Sequence, residues 1–406
     1  MEKKRRLLIA TLFCFIYSTS FVQNLYGCSM FKITLHGKTM VGNNEDYWNP
    51  NTRIWFEKGK TRKYGVCYVG YDNFWPQGGM NEAGLVFDGF AMPYLAIKDT
   101  IGKKELDANF LKIIMEKYSD VNEVKKYFAN HNLTGLETSM FLFIDKTGRY
   151  LVVQGDSLIT GNDQYYILSN FYPSQIKDES KIDIPFYHKA KRLLESYRDT
   201  SISFCTSVMD TMHQERDWGG GTMYTTLYDL KEGIIYLYYF HNYNHVVTFN
   251  LKQELEKGNH IFIMPKLFPE DKKGIEFLCN YNEVSNELDL FRNEDIVSDS
   301  SRYTNVVNAL FSNDVKLVRT FDDKINEIAH FWLDKEKYEY AISVFKLYVK
   351  VTPESWDALN SLAEAYLKNG QAELAITYFE KSLKINPDNS YGRKKIEEIK
   401  RSLKKL

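Results

Sequence analysis

Cysteine is scarce in this chain, with five in 406 residues. One of them, Cys14, lies in a segment that we expect to be removed, and the other four are spread far apart. This density excludes a disulfide framework, although one disulfide among Cys67, Cys205 and Cys279 stays open. CxxC and HExxH motifs are also missing, so we predict no zinc site and no cofactor.

An excess of charge of one sign is likewise missing. The chain has 52 basic and 53 acidic residues, a formal net charge of −1. Removing residues 1–27 takes away four basic and one acidic residue, which leaves 48 against 52, a net charge of −4. This balance gives no support to a nucleic-acid partner.

Long apolar runs are missing too, so we predict no transmembrane helix. The run at 7–16 follows four basic residues and is too short to span a bilayer, which is typical of a secretory signal. Cleavage after Gly27 would remove residues 1–27, whereas an earlier cut would leave a short propeptide. We therefore expect an exported protein, periplasmic or extracellular.

What the chain does contain is aromatic and β-branched sequence in short bursts. Hydrophobic residues make up 44% and aromatic residues 15%, a globular composition. Between Cys28 and residue 252, bursts such as 140–144, 150–153 and 234–240 alternate with Gly, Asn and Asp turns and predict strands. Helices are predicted at 107–118, 121–129 and 186–197 from apolar spacings of three and four. This order indicates a layered α+β domain over residues 28–252.

The C-terminal part has a period of 34 residues, which resembles the tetratricopeptide repeat. The matching pairs are Ile325 and Leu359, Ile328 and Leu362, Ala329 and Ala363, Trp332 and Tyr366, Ala341 and Ala375, Phe345 and Phe379, and Pro353 and Pro387. We predict two repeats over 322–389 and a capping helix over 390–406, after a partly helical connecting region at 253–321. Such repeats would bind a protein partner or mediate self-association; a plain helical tail is the alternative.

Cys28 draws attention because signal removal would make it the first residue. One residue would then carry a thiol and a free α-amine, whose ordinary pKa near 8 suits proton transfer at neutral pH. An N-terminal nucleophile of this kind uses its own amine where a triad uses histidine.

Four motifs in order resemble the choloylglycine hydrolase and penicillin V acylase family. They are Cys28–Ser29 at the new N-terminus, the Gly-Asn-Asn-Glu-Asp-Tyr turn at 42–47, the Asn-Glu-Ala-Gly-Leu hairpin within 80–85, and the Leu-Ser-Asn segment within 166–173. The resemblance covers about residues 28–251 and implies a four-layer αββα fold. It also implies hydrolysis of a linear, non-peptide amide through a thioester.

The resemblance assigns roles to individual positions. Cys28 would be the nucleophile and its α-amine the base, and Asp46 would hold that amine. The side-chain amide of Asn170 and the backbone N–H of Ala91 would receive the oxyanion. A second catalytic arginine of the family has only Arg216 as a candidate here. Substrates of the family are N-acylated small molecules: bile-salt conjugates, penicillin V, acyl amino acids or acyl lipids.

One departure from the family pattern concerns the neighbourhood of the thiol. Asn43 stands where bile-salt hydrolases carry an arginine, so any lowering of the thiol pKa must come from other groups. This departure leaves the substrate open more than the amidase chemistry.

Alternatives remain. Residues 25–28 partly fit a lipobox, and lipidation of Cys28 would give a lipid-anchored interaction protein with an inactive sandwich. A dipeptidase or an acyltransferase could use the same machinery. A papain-like pair of Cys28, Cys67 or Cys205 with a distant histidine lacks local context. His241 and His245 are interpreted as part of a polar turn between strands rather than as a metal site.

Overall fold

The structure is a computed structural model, and it describes residues 27–216, 220–312 and 314–404. Apart from Gly27, the predicted signal segment lies outside the described residues. The chain divides into two compact units at the bond between Leu278 and Cys279, and each is described by itself below. No helix in the described ranges combines the length and the apolar character that a membrane crossing requires.

The first unit is built on strands. In chain order they are β1 (Ser29–Leu35), β2 (Lys38–Tyr47), β3 (Thr52–Glu57), β4 (Val66–Tyr71), β5 (Pro76–Asn81), β6 (Val86–Ala91), β7 (Lys104–Glu105), β8 (His131–Asn132), β9 (Ser139–Ile144), β10 (Tyr150–Gln154), β11 (Ser157–Gly161), β12 (Tyr165–Leu168), β13 (Gly221–Asp229), β14 (Ile234–Tyr239), β15 (Asn242–Asn250) and β16 (His260–Ile263). The bursts predicted at 140–144, 150–153 and 234–240 are confirmed as β9, β10 and β14.

The helices follow the same numbering along the chain. They are α1 (Phe110–Lys117), α2 (Val121–Ala129), α3 (Pro185–Ser196), α4 (Ile202–Met212), α5 (Leu251–Glu256), α6 (Met264–Leu267), α7 (Lys272–Asp289), α8 (Glu294–Ser298), α9 (Ser300–Ser312), α10 (Val315–Arg319), α11 (Asp322–Asp334), α12 (Tyr338–Val351), α13 (Trp356–Lys368), α14 (Ala372–Ile385) and α15 (Ser390–Leu403). Short 3₁₀ turns lie at Pro173–Gln175, Glu179–Lys181 and Leu290–Arg292.

The strands form two large antiparallel sheets and one short parallel pair, β7–β8. The six-stranded sheet has the order β12-β1-β2-β13-β14-β15, and the eight-stranded sheet has the order β11-β10-β9-β6-β5-β4-β3-β16. The hairpin that begins the first sheet turns at His36 and Gly37, whose φ values are 49° and 74°. A two-residue turn with both φ values positive matches the twist of the flanking strands, and it fixes the pairing of β1 with β2.

Helices cover the outer face of each sheet, and the inner faces meet. Helices α1 and α2 pack on the eight-stranded sheet, where Phe110 and Phe128 contact Phe141 and Phe143 in one apolar cluster. Helices α3 and α4 pack on the six-stranded sheet in a second cluster. The layers are therefore helix, sheet, sheet, helix, which is the αββα arrangement expected from the motifs.

The sheet-rich unit extends beyond residue 252, where the sequence placed its end. Strand β16 pairs antiparallel with β3 along His260–Ile263 and forms the edge of the eight-stranded sheet. Residue 253 therefore does not begin a separate connecting region. Four residues of strand carry too little pattern to be recognised from sequence.

The second unit contains the repeats. Helices α11 to α14 form two helix pairs, and the small residues Ala329, Ala341, Ala363 and Ala375 are fully buried where the period placed them. Phe345 and Phe379 are likewise fully buried. Asn389 caps α15 and also donates to Asn360 Oδ1 at 3.1 Å, so the last helix is tied to the second repeat. The predicted capping helix is described up to residue 404.

Candidate active site around Cys28

Cys28 immediately precedes β1, at the end of the six-stranded sheet. The pairing of Ser29 with Asn44 places Cys28 across from Glu45 of β2. Only 9% of Cys28 is exposed. Its sulphur accepts a hydrogen bond from the backbone N–H of Asp46, which lowers the thiol pKa, but burial acts more strongly and raises it.

Asp46 is held by two side chains from a distant part of the sequence. Its Oδ1 accepts a hydrogen bond from the Thr222 hydroxyl, and its Oδ2 accepts one from Gln214 Nε2 at 2.7 Å. Burial raises the pKa of Asp46, and these two hydrogen bonds oppose that rise. Thr222 reaches Asp46 beside a β-bulge in β13, between Thr222 and Tyr224. A bulge redirects side chains in this way near functional sites.

Gln214 links Asp46 to the peptide bond that precedes the nucleophile. The same Nε2 donates to the carbonyl oxygen of Gly27 at 3.1 Å, and Gln214 Oε1 accepts from Arg216 Nη2 at 3.0 Å. Arg216 therefore reaches the site through Gln214, and its charge lowers the pKa of Asp46. The sequence singled out Arg216 but missed Gln214 two residues earlier.

Asn170 and Ala91 meet on the other side of Gly27. Asn170 Nδ2 donates to the Ala91 carbonyl oxygen at 2.7 Å. A Cβ built on Gly27 would lie 2.7 Å from the Asn170 amide, so Asn170 contacts the residue before the nucleophile. The Asn170 amide thus lies beside the Gly27–Cys28 peptide, with Nδ2 bound to the Ala91 carbonyl oxygen.

The backbone N–H of Ala91 points towards the same edge of β6 as its carbonyl. Met92 N donates to Thr138 O at 2.8 Å, so the neighbouring opposite pair, Ala91 and Ser139, is of the non-hydrogen-bonded type. The N–H and C=O of such a residue both face away from the partner strand. The donor assigned to Ala91 is therefore directed to the side on which Asn170 lies.

Two buried carboxylic acids near the thiol were not anticipated. Glu45 is 3% exposed, and its carboxyl group hydrogen-bonds with Cys28. Asp88 of β6 is fully buried, and neither of its oxygens has a hydrogen bond of normal geometry among the described residues. Burial raises the pKa of both groups, to about 7 for Glu45. Glu45 lay inside the 42–47 motif, but nothing in the motif gave it a role.

Asn43 supplies no positive charge at the position where the family pattern has an arginine. It is fully buried, and neither atom of its amide has a hydrogen-bond partner among the described residues. Its neighbour across the β2–β13 pairing, Thr226, also has a hydroxyl without a hydrogen bond of normal geometry among the described residues. An uncharged residue here leaves the thiol with carboxylates as its charged neighbours.

The other cysteines and the histidines occupy different places. All four described cysteines are free thiols, and Cys67 and Cys205 are fully buried. Burial raises the pKa of Cys205 to about 12, which makes it a poor nucleophile. His241 lies in the turn between β14 and β15, as the polar-turn interpretation predicts, whereas His245 lies within β15. Within the described ranges, no group of three or more His, Cys, Asp or Glu side chains could hold a metal ion.

Comparison with known proteins separates the two parts of the chain. The family model named tetratricopeptide repeat matches residues 356–389. A solved tetratricopeptide-repeat domain covers 35% of this chain and 39% of its own, at 22% identity and a TM-score of 0.24. No curated protein matches the chain.

Two solved enzymes resemble the N-terminal part. A variant of conjugated bile acid hydrolase from Clostridium perfringens is 19% identical, with 58% of this chain and 96% of that chain covered and a TM-score of 0.47. Penicillin V acylase from Agrobacterium tumefaciens is 15% identical, with 58% and 90% covered and a TM-score of 0.44. The description of the fold above rests on the layers themselves.

Proposed function

We propose that the protein is an exported amidase with an N-terminal cysteine nucleophile, which hydrolyses a linear amide of an N-acylated small molecule. One observation carries this proposal. Cys28, Asp46 and Asn170 come from three separate segments, and all lie around the Gly27–Cys28 peptide, together with the edge of β6 at Ala91. These are the four positions to which the family resemblance assigns catalytic roles.

The chemistry follows from that geometry. Cleavage after Gly27 would leave the Cys28 α-amine near Asp46, whose carboxylate would orient it. The thiol would attack the amide carbonyl to give a thioester, and Asn170 Nδ2 with Ala91 N–H would stabilise the oxyanion. The α-amine would protonate the leaving amine and then activate water for deacylation. Bile-salt, penicillin V, acyl-amino-acid and acyl-lipid substrates all fit this chemistry.

A direct test begins with the N-terminus of the exported protein. We expect intact-mass measurement to show a chain that begins at unmodified Cys28. A thiol-directed acyl-amide probe should label Cys28 in the wild type and leave Cys28→Ser unlabelled. A lipidated or uncleaved Cys28 would contradict the proposal.

A second function is favoured by the tetratricopeptide match alone. Repeats of this kind commonly bind other proteins, so the chain would then be a secreted or lipid-anchored interaction protein with an inactive sandwich. Added mass of a diacylglycerol on Cys28 would favour this function. An acyltransferase is distinguished by product analysis with an added amine acceptor, and a dipeptidase by products from dipeptide substrates.

A further inference from the structure

The carboxyl group of Glu45 is the nearest acid to the nucleophile that the family mechanism leaves unused. Glu45 lies opposite Cys28 in the β1–β2 pairing, and opposite residues bring their Cβ atoms to about 4.5–5.5 Å. Besides Cys28, the Tyr71 hydroxyl donates to Glu45 Oε1 at 2.7 Å and the Tyr224 hydroxyl to Oε2 at 3.4 Å. Contacts on three sides fix this carboxyl group against the thiol.

The charges around the pair make a resting thiolate unfavourable. Among the described residues, the titratable groups that act on Glu45 or on which it acts are Cys28 just before β1, Asp46 of β2, Tyr71 of β4, Asp88 of β6, and Tyr224 and Tyr228 of β13. None of these is a cation, and the nearby Arg216 acts on Asp46. The pKa of the Cys28 thiol is raised first by burial and then by the charges of Glu45, Asp88 and Asp46. The thiol therefore needs a base at the moment of attack.

We propose that Glu45 accepts the Cys28 thiol proton as the sulphur attacks the substrate. This inference rests on the proposed amidase function. The α-amine has an ordinary pKa of about 8, so at neutral pH most of it carries a proton. As an ammonium group it can instead serve the leaving nitrogen.

The protons balance through a full cycle. In acylation, the S–H proton moves to the Glu45 carboxylate, the S–C bond forms, and the carbonyl π pair moves to oxygen. When the tetrahedral intermediate collapses, the C–N bond breaks and the nitrogen takes a proton from the α-ammonium group. In deacylation, water adds to the thioester carbonyl and gives its proton to the α-amine. The C–S bond then breaks, and the sulphur recovers its proton from Glu45.

This scheme has a pH dependence with a defined sign. Burial raises the pKa of Glu45 to about 7, so the carboxylate that acts as base forms as the pH rises through about 7. Asp88 is fully buried, and burial also raises its pKa. The rate of acylation should therefore increase across that interval.

The test uses the exported full-length protein and para-nitrophenyl butyrate as the probe. The nitrophenolate group leaves without a proton, so the burst of nitrophenolate reports deprotonation of the thiol rather than protonation of a leaving amine. Glu45→Gln should slow the burst about 10²-fold and abolish its inflection near pH 7. Ultraviolet titration of the thiolate, with Cys28→Ala as the blank, should show a lower Cys28 pKa in the same variant.

A slower burst together with a lower Cys28 pKa in Glu45→Gln identifies Glu45 as the base. Glu254→Gln is a matched control, since Glu254 is another buried carboxylate of this unit, bound by Lys257 and His260; it should leave the burst unchanged. A Glu45→Gln burst as fast as wild type, or a slower burst that keeps its inflection, would overturn the inference. If Glu45→Gln does not fold, a wild-type burst that is flat between pH 6 and pH 8, about one unit either side of the Glu45 pKa, overturns it equally. A wild type that gives no burst overturns the amidase function itself.

Discussion

The interior of the sandwich and the interior of the repeats are built on different rules. Between the sheets lie polar groups without normal hydrogen-bond partners in the described chain, namely the side chains of Asn43, Asp88, Thr226 and Tyr228. In the repeats, fully buried alanines and phenylalanines recur every 34 residues, as at Ala341 and Ala375 and at Phe345 and Phe379. Buried polar groups cost free energy unless they are paired, whereas apolar ones stabilise the fold.

This difference indicates that packing determines the core residues of the repeats, whereas the core of the sandwich also accommodates a candidate site. Each repeat packs only against its neighbours, so equivalent positions of successive repeats can carry the same kinds of residue. The polar groups near Cys28 are tolerated at a cost, and groups of this kind concentrate at functional sites. Four changes would break or sharpen this contrast.

The largest effect should come from Cys28→Ser. Loss of the thiol should reduce acyl-enzyme formation on the order of 10⁴-fold, because no other described cysteine lies at the site. Nitrophenolate burst kinetics measure this directly. Cys279→Ser is the control, since Cys279 is exposed and lies in the other unit; equal loss in both variants would contradict the assignment.

Phe345→Ala should act on the repeats alone. Phe345 is fully buried, so the cavity should lower the free energy of unfolding of the second unit by about 3–5 kcal/mol. Denaturant unfolding followed by circular dichroism should show an earlier helical transition. Labelling of Cys28 should persist after that transition. If the helical signal and Cys28 labelling were lost at the same denaturant concentration, the two units would not unfold separately.

Asn170→Ala should slow acylation about 10²–10³-fold, as expected when one oxyanion donor is removed. The variant also loses the hydrogen bond to Ala91 O, so stability must be measured alongside the rate. Asn170→Asp offers a sharper comparison, because it keeps the size and replaces a donor with a negative charge. An unchanged burst rate in both would remove Asn170 from the mechanism.

The smallest effect concerns Asp323 in α11. Desolvation, then the charges of Asp322 and Asp357, raises its pKa to about 6. Because the folded protein holds this proton more tightly than the unfolded chain does, stability should fall as the pH rises from about 4 to about 6. Asp323→Asn should therefore stabilise the second unit at neutral pH by less than about 1 kcal/mol, since solvent screens this exposed group. Thermal unfolding of wild type and Asp323→Asn at pH values of about 4 and about 6 measures this difference in stability. An equal change in melting temperature at both pH values would contradict the raised pKa of Asp323 as its cause.

Local patterns were sufficient for much of the structure. Strands β9, β10 and β14, helices α1 to α3 and the repeats depend on residues that are near one another in sequence or that recur at a fixed period. The partners of Asp46 could not be found in this way. Gln214 and Thr222 reach it across 168 and 176 residues, and Thr222 does so beside a bulge that has no sequence signature.

The candidate site shows the same division. The motifs brought Cys28, Asp46, Asn170 and Ala91 into consideration, but they did not show that Asn170 donates to the Ala91 carbonyl. Nor did they reveal Glu45 as a neighbour of the thiol. That contact depends on the pairing of two strands and on Tyr71 from the opposite sheet, which no local pattern encodes.

The hydrogen bond from Gln214 to Gly27 has a consequence for the order of events in the life of the chain. While residue 27 is attached, its carbonyl oxygen satisfies the Gln214 amide, and its backbone lies against Asn170. Under the proposed function, the uncut chain would keep its own peptide where the acyl group of a substrate binds. Cutting after Gly27 would create the α-amine of Cys28, and it would also leave one N–H of the Gln214 amide without its acceptor. Under the proposed function, the chain before cleavage would therefore block its own active site.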